Sequence, residues 1–171
     1  MRAVWDAESG DARALLDQAL ATTRTGLTEA RRALHDLRAS PLDDRGLPLA
    51  LRHLAESVAE RTGAALTART PDPAARLSPE VEQSIYRVAQ EALENIARHA
   101  GARHITLALD VEPPHLVLTV SDDGRGFDPD HAAPDGFGLK GIRERAEMLG
   151  GRVEIASREG GPTKVRLEVP I

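Results

Sequence analysis

The chain has 171 residues, a formal net charge of −5, no cysteine, and only two Phe, one Tyr and one Trp. That length fits one domain, or one domain with a short helical appendage. The missing cysteines exclude disulfide staples and Cys-based zinc or iron–sulfur sites. The acidic balance argues against a general nucleic-acid binder. With so few aromatic residues, the core must be built from Leu, Val, Ile and Ala. No apolar run approaches the ~20 residues needed to cross a bilayer, and no signal-peptide core follows Met1. The expectation is a cytoplasmic chain without membrane contact of its own, whose parent protein can still be membrane-anchored.

Residues 1–10 have no period and end in Gly10. From Asp11 to Arg38 only Gly26 interrupts a helical pattern, and Leu16, Leu20, Thr23, Leu27, Ala30, Leu34 and Leu37 recur at alternating steps of four and three. This heptad seam predicts a helix about 42 Å long that seeks partner helices, as a dimeric coiled coil or a four-helix bundle. The alternative is one amphipathic helix lying on its own domain. Ser40-Pro41 ends it, because the residue before proline resists the α region. Helical periodicity resumes over 46–61 and closes at Thr62-Gly63, and a short strand is expected over Ala64–Arg69. Ser78 then reads as an N-cap with Pro79 at the first helical position, starting a helix to about Ala100. Alternating strands follow at 103–110 and 115–121, separated by Pro113-Pro114. A Gly/Asp/Pro-rich loop spans 122–138, a helix 139–149, and two strands 152–157 and 163–169. Neighbouring strands joined by short turns predict an α+β domain, a mixed or antiparallel sheet with helices on one face. A Rossmann fold is excluded, since no strand–GxGxxG–helix unit opens the chain.

Three segments carry polar chemistry. On the helix 80–100, Val81, Ile85, Val88, Ala89, Ala92, Leu93 and Ile96 form the core face, and Glu91, Asn95 and His99 form a polar stripe along its flank. Such a stripe either bonds to the neighbouring sheet or lines a cleft beside it. Next, SDDGRGFD at 121–128 places Asp122 at a strand end, before Gly124 and Gly126. Backbone there can approach a ligand closely, and a carboxylate can accept from an exocyclic amine. A lone D-x-G-x-G is a weak signal, since acidic glycine turns are common. Calcium is a poor rival, because the alternate oxygen ligands and closing Glu of an EF-hand-type loop are missing. Third, Gly136, Gly138 and Gly141 precede and open a helix whose N-terminal N–H groups suit phosphate, with Arg143 and Arg145 adding positive charge. The Walker A spacing is absent, and an ordinary glycine loop with a solvated basic turn stays open as a reading.

Taken in order, these segments resemble the ATP-binding fold shared by histidine kinases, gyrase, Hsp90 and MutL, a two-layer α/β sandwich of the Bergerat type. QEALENIARHA, VSDDGRGF and GFGLKGIRERAEMLGGRVEI look most like the histidine kinases of the nitrate-sensor and desaturase-sensor type. EARRALHDLRASPLDDRGLPLAL is similar to that family's join between dimerisation hairpin and ATP domain. The resemblance covers roughly 11–171. It implies residues 1–45 as a partial dimerisation helix and connector and 46–171 as the catalytic domain. ATP and Mg²⁺ are the implied cofactors, with Asn95 as metal ligand and Glu91 as an acid near the attacking group. It further implies His99 at the phosphates, Asp122 on the adenine amino group, and Gly124 and Gly126 shaping the pocket floor. Gly136, Gly138 and Leu139 would offer backbone contacts to phosphate, with Arg143 as nearby charge, and Thr163 would back up Asp122. Residues 127–138 would be the lid. Pro162 departs from the glycine that often precedes that threonine.

The implied partners are ATP, the receiver domain of a response regulator, and a second copy joined through residues 11–38. His35, in RALHDLR, is not expected to be the phosphoacceptor. No second hairpin helix follows it before the ATP domain, so 11–38 reads as the second helix of the hairpin. The expectation is a fragment whose acceptor histidine lies outside it. The rival readings are a nucleotide-binding interaction module without turnover and a serine kinase of the anti-sigma type.

Overall fold

The computed structural model describes residues 42, 46–71, 77–128 and 137–171. These belong to the second of two units into which the chain divides, Pro41–Ile171. The expected helix 11–38 with its leucine seam, His35, and lid residues 129–136, Gly136 included, lie outside the described residues.

Helix α1 runs Gly46–Thr62 and turns Leu47, Ala50, Leu51, Ala55, Val58 and Ala59 inward, with Leu47 and Leu51 fully buried. Gly63, at φ +71°, ends it in the left-handed region that favours glycine. Strand β1 is Ala65–Arg69. Helix α2, Pro79–Asn95, begins as its sequence requires: the Ser78 side chain accepts from the Val81 N–H at 3.4 Å, and Pro79 occupies the first turn, where its missing donor costs nothing. Strands β2 (His104–Glu112) and β3 (His115–Asp122) form a hairpin around Pro113-Pro114. Helix α3 covers Phe137–Met148, and β4 (Arg152–Ser157) and β5 (Thr163–Pro170) form the last hairpin.

The sheet order is β1-β2-β3-β5-β4, with β1 parallel to β2 and the other pairs antiparallel. The three helices cover one face. Their apolar stripes meet Ile105, Leu107 and Leu109 of β2, Leu116, Leu118 and Val120 of β3, and Val165, Leu167 and Val169 of β5. Each fully buried Leu or Ile contributes roughly 1.5–3 kcal/mol, so this aliphatic layer can hold the domain without staples. Among the described residues, Tyr86 is the aromatic exception in the core. The opposite sheet face is charged: Arg152 pairs with Glu168 at 2.7 Å, Arg166 with Glu112 at 2.6 Å and also with Glu168, and Arg69 donates to Asp110 at 2.7 Å. Val117, whose neighbours in register are Asp110 and Glu168, lies buried beneath these long side chains.

Among the described residues, the main departure from the expected elements is at the end of α2. After Asn95 the backbone widens into a π turn, Ile96–Ala100, and leaves it through Gly101 at φ +60°. Such single wide turns are rare and concentrate at functional sites. Among the described residues no helix is long and apolar enough to cross a membrane.

Candidate functional site

Sheet register aligns the polar groups that matter. Asp122 at the end of β3 pairs with Thr163 at the start of β5, which pairs in turn with Ser157 at the end of β4. Directly paired residues share a face, so these three side chains form a row on the helix-covered side. Asp122 and Thr163 of this row line a cavity of about 360 Å³ between sheet, α2 and the start of α3. That lies within the roughly 300–1,000 Å³ of small-molecule sites. Ala92, Ile96, Ala100, Val120, Val165 and Leu139 make its walls mainly apolar, and Asn95, His99, Asp122, Arg125 and Thr163 supply polar groups. Because π winding takes more residues per turn than α, the side chains beyond Asn95 leave the α phase. Asn95 and His99 both reach the cavity, and Ile96 and Ala100 stay buried.

Asp122 is the one buried polar or charged side chain among the described residues, 6% exposed. Burial pushes its carboxyl above the usual range; the Gly124 N–H, donating to Oδ1 at 2.8 Å, pulls it down, and the Asp123 charge adds to the rise. Asp123 does different work. Its Oδ1 accepts the backbone N–H groups of His104 and Arg103, both at 2.8 Å, which holds its carboxyl below the usual range and pins the loop to the start of β2.

The loop 123–127 is fixed by further bonds. Arg125 donates its backbone N–H to the Ala100 carbonyl (2.9 Å) and its Nε to the His99 carbonyl (2.6 Å), closing the π turn. Gly160 donates to the Arg125 carbonyl at 2.7 Å, and the Phe127 N–H donates to Ser157 Oγ at 3.0 Å. The two loop glycines are sterically required. A Cβ at Gly124 would stand 2.5 Å from the Ala100 carbonyl oxygen, and one at Gly126 would land on the carbonyl oxygens of Arg158 and Gly161. At Gly138 a Cβ would collide with Glu91 Oε1 and lie 3.3 Å from Asn95 Nδ2, so the start of α3 rests directly on the polar stripe of α2.

Of the residues singled out in sequence, Asn95, His99, Asp122, Gly126, Gly138, Leu139 and Thr163 line this one cavity. Glu91 stands behind Gly138, and Gly124 behind Asp122, neither in the wall itself. Arg143 is exposed on α3 and does not line the cavity, and Arg145 turns back onto the Gly141 carbonyl at 3.0 Å. Residues not singled out also take part: Val120 and Val165, two positions from Asp122 and Thr163 on alternating strands, and Arg125, Phe127 and Ser157. Strand alternation could have found the first two. Ser157 is legible only once the β4–β5 register is known.

Residues 80–171 match the family described as histidine kinase-, DNA gyrase B- and HSP90-like ATPase. The chain is 32% identical over 148 residues to the signal transduction histidine-protein kinase/phosphatase DegS of Brevibacillus brevis, covering 86% of this chain and 38% of that protein. It is 37% identical over 156 residues to the sensor histidine kinase MctS of Rhizobium johnstonii, covering 90% and 34%. The chain thus spans little more than a third of these relatives' length. Among solved structures, the histidine kinase domain of the Erythrobacter litoralis EL346 blue-light activated histidine kinase superposes with a TM-score of 0.60 at 25% identity, covering 77% of this chain and 65% of that one.

Proposed function

The chain belongs to the histidine kinase-, DNA gyrase B- and HSP90-like ATPase family, and from that premise we propose that residues 46–171 form the ATP-binding catalytic domain of a two-component sensor histidine kinase. Residues 1–45 are then a partial dimerisation helix and connector. The reaction is transfer of the ATP γ-phosphate to a histidine of a dimerisation helix and onward to the receiver domain of a response regulator. A second copy, held through residues 11–38, completes the assembly, in the cytoplasm. The observation that carries the reading is the convergence of Asn95, Asp122, the start of α3 and Thr163 on one cavity.

The residues fit the nucleotide. Asp122 spends one oxygen on the Gly124 N–H and keeps acceptor capacity for an exocyclic amine. Ile96, Val120 and Val165 form apolar walls suited to a flat ring. Among the described residues no group of three or more His, Asp or Glu could hold a metal alone. Mg²⁺ binds through one or two protein ligands, substrate phosphates and water, and Asn95 Oδ1 is the ligand proposed. When bound, the ion supplies neutralisation of phosphate charge. The N–H groups of Gly138 and Leu139 at the α3 start, with those of Gly136, orient the phosphates, His99 faces them from the π turn, and Arg143 adds distant positive charge. Glu91, touching the α3 start, is assigned the place beside the attacking group. Catalysis is then mainly positioning and electrostatics.

Incubation with γ-labelled ATP and a supplied acceptor-helix fragment tests this. The expected product is an acid-labile, base-stable phosphohistidine on the fragment. ATP binding with no transfer to any acceptor would instead select a nucleotide-binding module, and a phosphoserine product a serine kinase.

A further inference from the structure

We infer that Ser157 is a positioning residue for the nucleotide base, setting the direction in which the Thr163 hydroxyl donates; the inference rests on reading the cavity as a nucleotide site. Ser157 lies beyond the cavity wall, directly across the β4–β5 ladder from Thr163, with the two hydroxyl oxygens 3.0 Å apart. Its oxygen also accepts the Phe127 N–H at 3.0 Å. A Cβ at Gly126 would come within 3.0 Å of that same oxygen, so the glycine keeps the space that the hydroxyl uses.

Proton accounting decides the direction. A serine hydroxyl has one proton and two acceptor sites. One acceptor site is taken by Phe127, and Thr163 Oγ1 is the acceptor within reach of the proton. Were Thr163 to donate instead, Ser157 would accept twice and this half-buried hydroxyl would turn its own proton to solvent, so the site would lose one internal hydrogen bond. Ser157 therefore donates to Thr163, and the Thr163 proton is released towards the cavity that this residue lines. The cavity then presents an acceptor, Asp122, beside a donor, Thr163. Adenine carries the complement on adjacent atoms, an amino donor beside a ring-nitrogen acceptor. Guanine carries the reverse, a carbonyl acceptor beside a ring N–H donor. Ser157 thus discriminates between the two purines without touching either.

The test is titration calorimetry of Mg-ATP and Mg-GTP against the full 171-residue chain, as wild type, Ser157→Ala, Ser157→Cys, Thr163→Val and the double variant Ser157→Ala/Thr163→Val. Wild type is expected to prefer ATP. Ser157→Ala should weaken ATP by roughly 10-fold, the scale of one hydrogen bond, and shrink the ATP-over-GTP ratio by a similar factor. Ser157→Cys, which keeps the shape but has only a weak S–H, should follow Ala and carries the comparison if Ser157→Ala does not fold. The double variant should be no worse than Thr163→Val alone. Equal weakening of both nucleotides, no change, or losses that add fully in the double variant would each overturn the proposal while leaving the nucleotide site intact. A wild type that binds neither nucleotide would overturn the site itself.

Discussion

Replacing Gly126 with alanine, alongside the same change at Gly160, separates the cost of backbone conformation from that of collision in the candidate site. Both glycines are left-handed, at φ +54° and +68°. Alanine pays about 1–2 kcal/mol in that region. At Gly160 an added Cβ meets nothing within 4 Å, so conformation is the whole cost. At Gly126 the Cβ lands on the carbonyl oxygens of Arg158 and Gly161, backbone atoms of the β4–β5 turn that cannot swing aside as a side chain can. Overpacking of that kind adds about 1–3 kcal/mol. The total is then about 2–5 kcal/mol, against a net stability on the order of 5–15. At roughly 4 °C per kcal/mol for a domain of this size, melting falls by about 4–8 °C for Gly160→Ala and about 8–20 °C for Gly126→Ala. Alanine also stiffens the unfolded chain, but it does so equally at both positions, so the difference survives. Urea unfolding followed by circular dichroism, with an unchanged slope, measures it. Equal losses, or a milder loss at Gly126, would refute the collision.

Asp122→Asn should weaken nucleotide binding at least 10-fold by calorimetry yet leave the fold no less stable at pH 8, since burial holds the folded carboxyl above its unfolded value. Asp122's share of stability is therefore present below the unfolded carboxylate range and lost as pH rises through the raised folded value, so the Asn variant's advantage in melting temperature should shrink as pH falls towards about 4. Asp123 has the opposite sign: the Arg103 and His104 N–H groups depress its carboxyl, giving stability above the unfolded range that is lost as pH falls through the lowered value. Asp123→Ala should flatten the acid side of a plot of urea midpoint against pH. Leu93, fully buried between helix and sheet, should cost about 2–5 kcal/mol on truncation to alanine, read from the same urea transitions.

Most of the architecture was legible because breakers stand where the chain turns. Gly63, Ser78-Pro79, Gly101 and Pro113-Pro114 each bound an element within a residue or two of the expected place. A mixed or antiparallel sheet with helices on one face followed from strand alternation and short connections; the parallel pairing of β1 with β2 decides between the two. The π turn was not legible: IARHA reads as ordinary helix, and the extra residue per turn is imposed by the Arg125 bonds to the His99 and Ala100 carbonyls, which are tertiary. The same division runs through the site. Asn95, Asp122 and Gly138 stood out by residue type and spacing. Ser157 and Arg125 did not, because their part depends on which strands pair and where a loop closes. Arg143 stands out in the sequence by its charge, but Ile142 and Ala146 set the buried phase of α3 and leave Arg143 exposed.

The most direct test of the account is a Mg-ATP titration of the isotope-labelled chain followed by backbone amide NMR. Saturable shifts should cluster at Asn95–Ala100, Asp122–Phe127, Gly138–Leu139 and Thr163, the groups that share the cavity. Shifts confined to the charged face around Val117 and Arg166, or none that saturate, would contradict it.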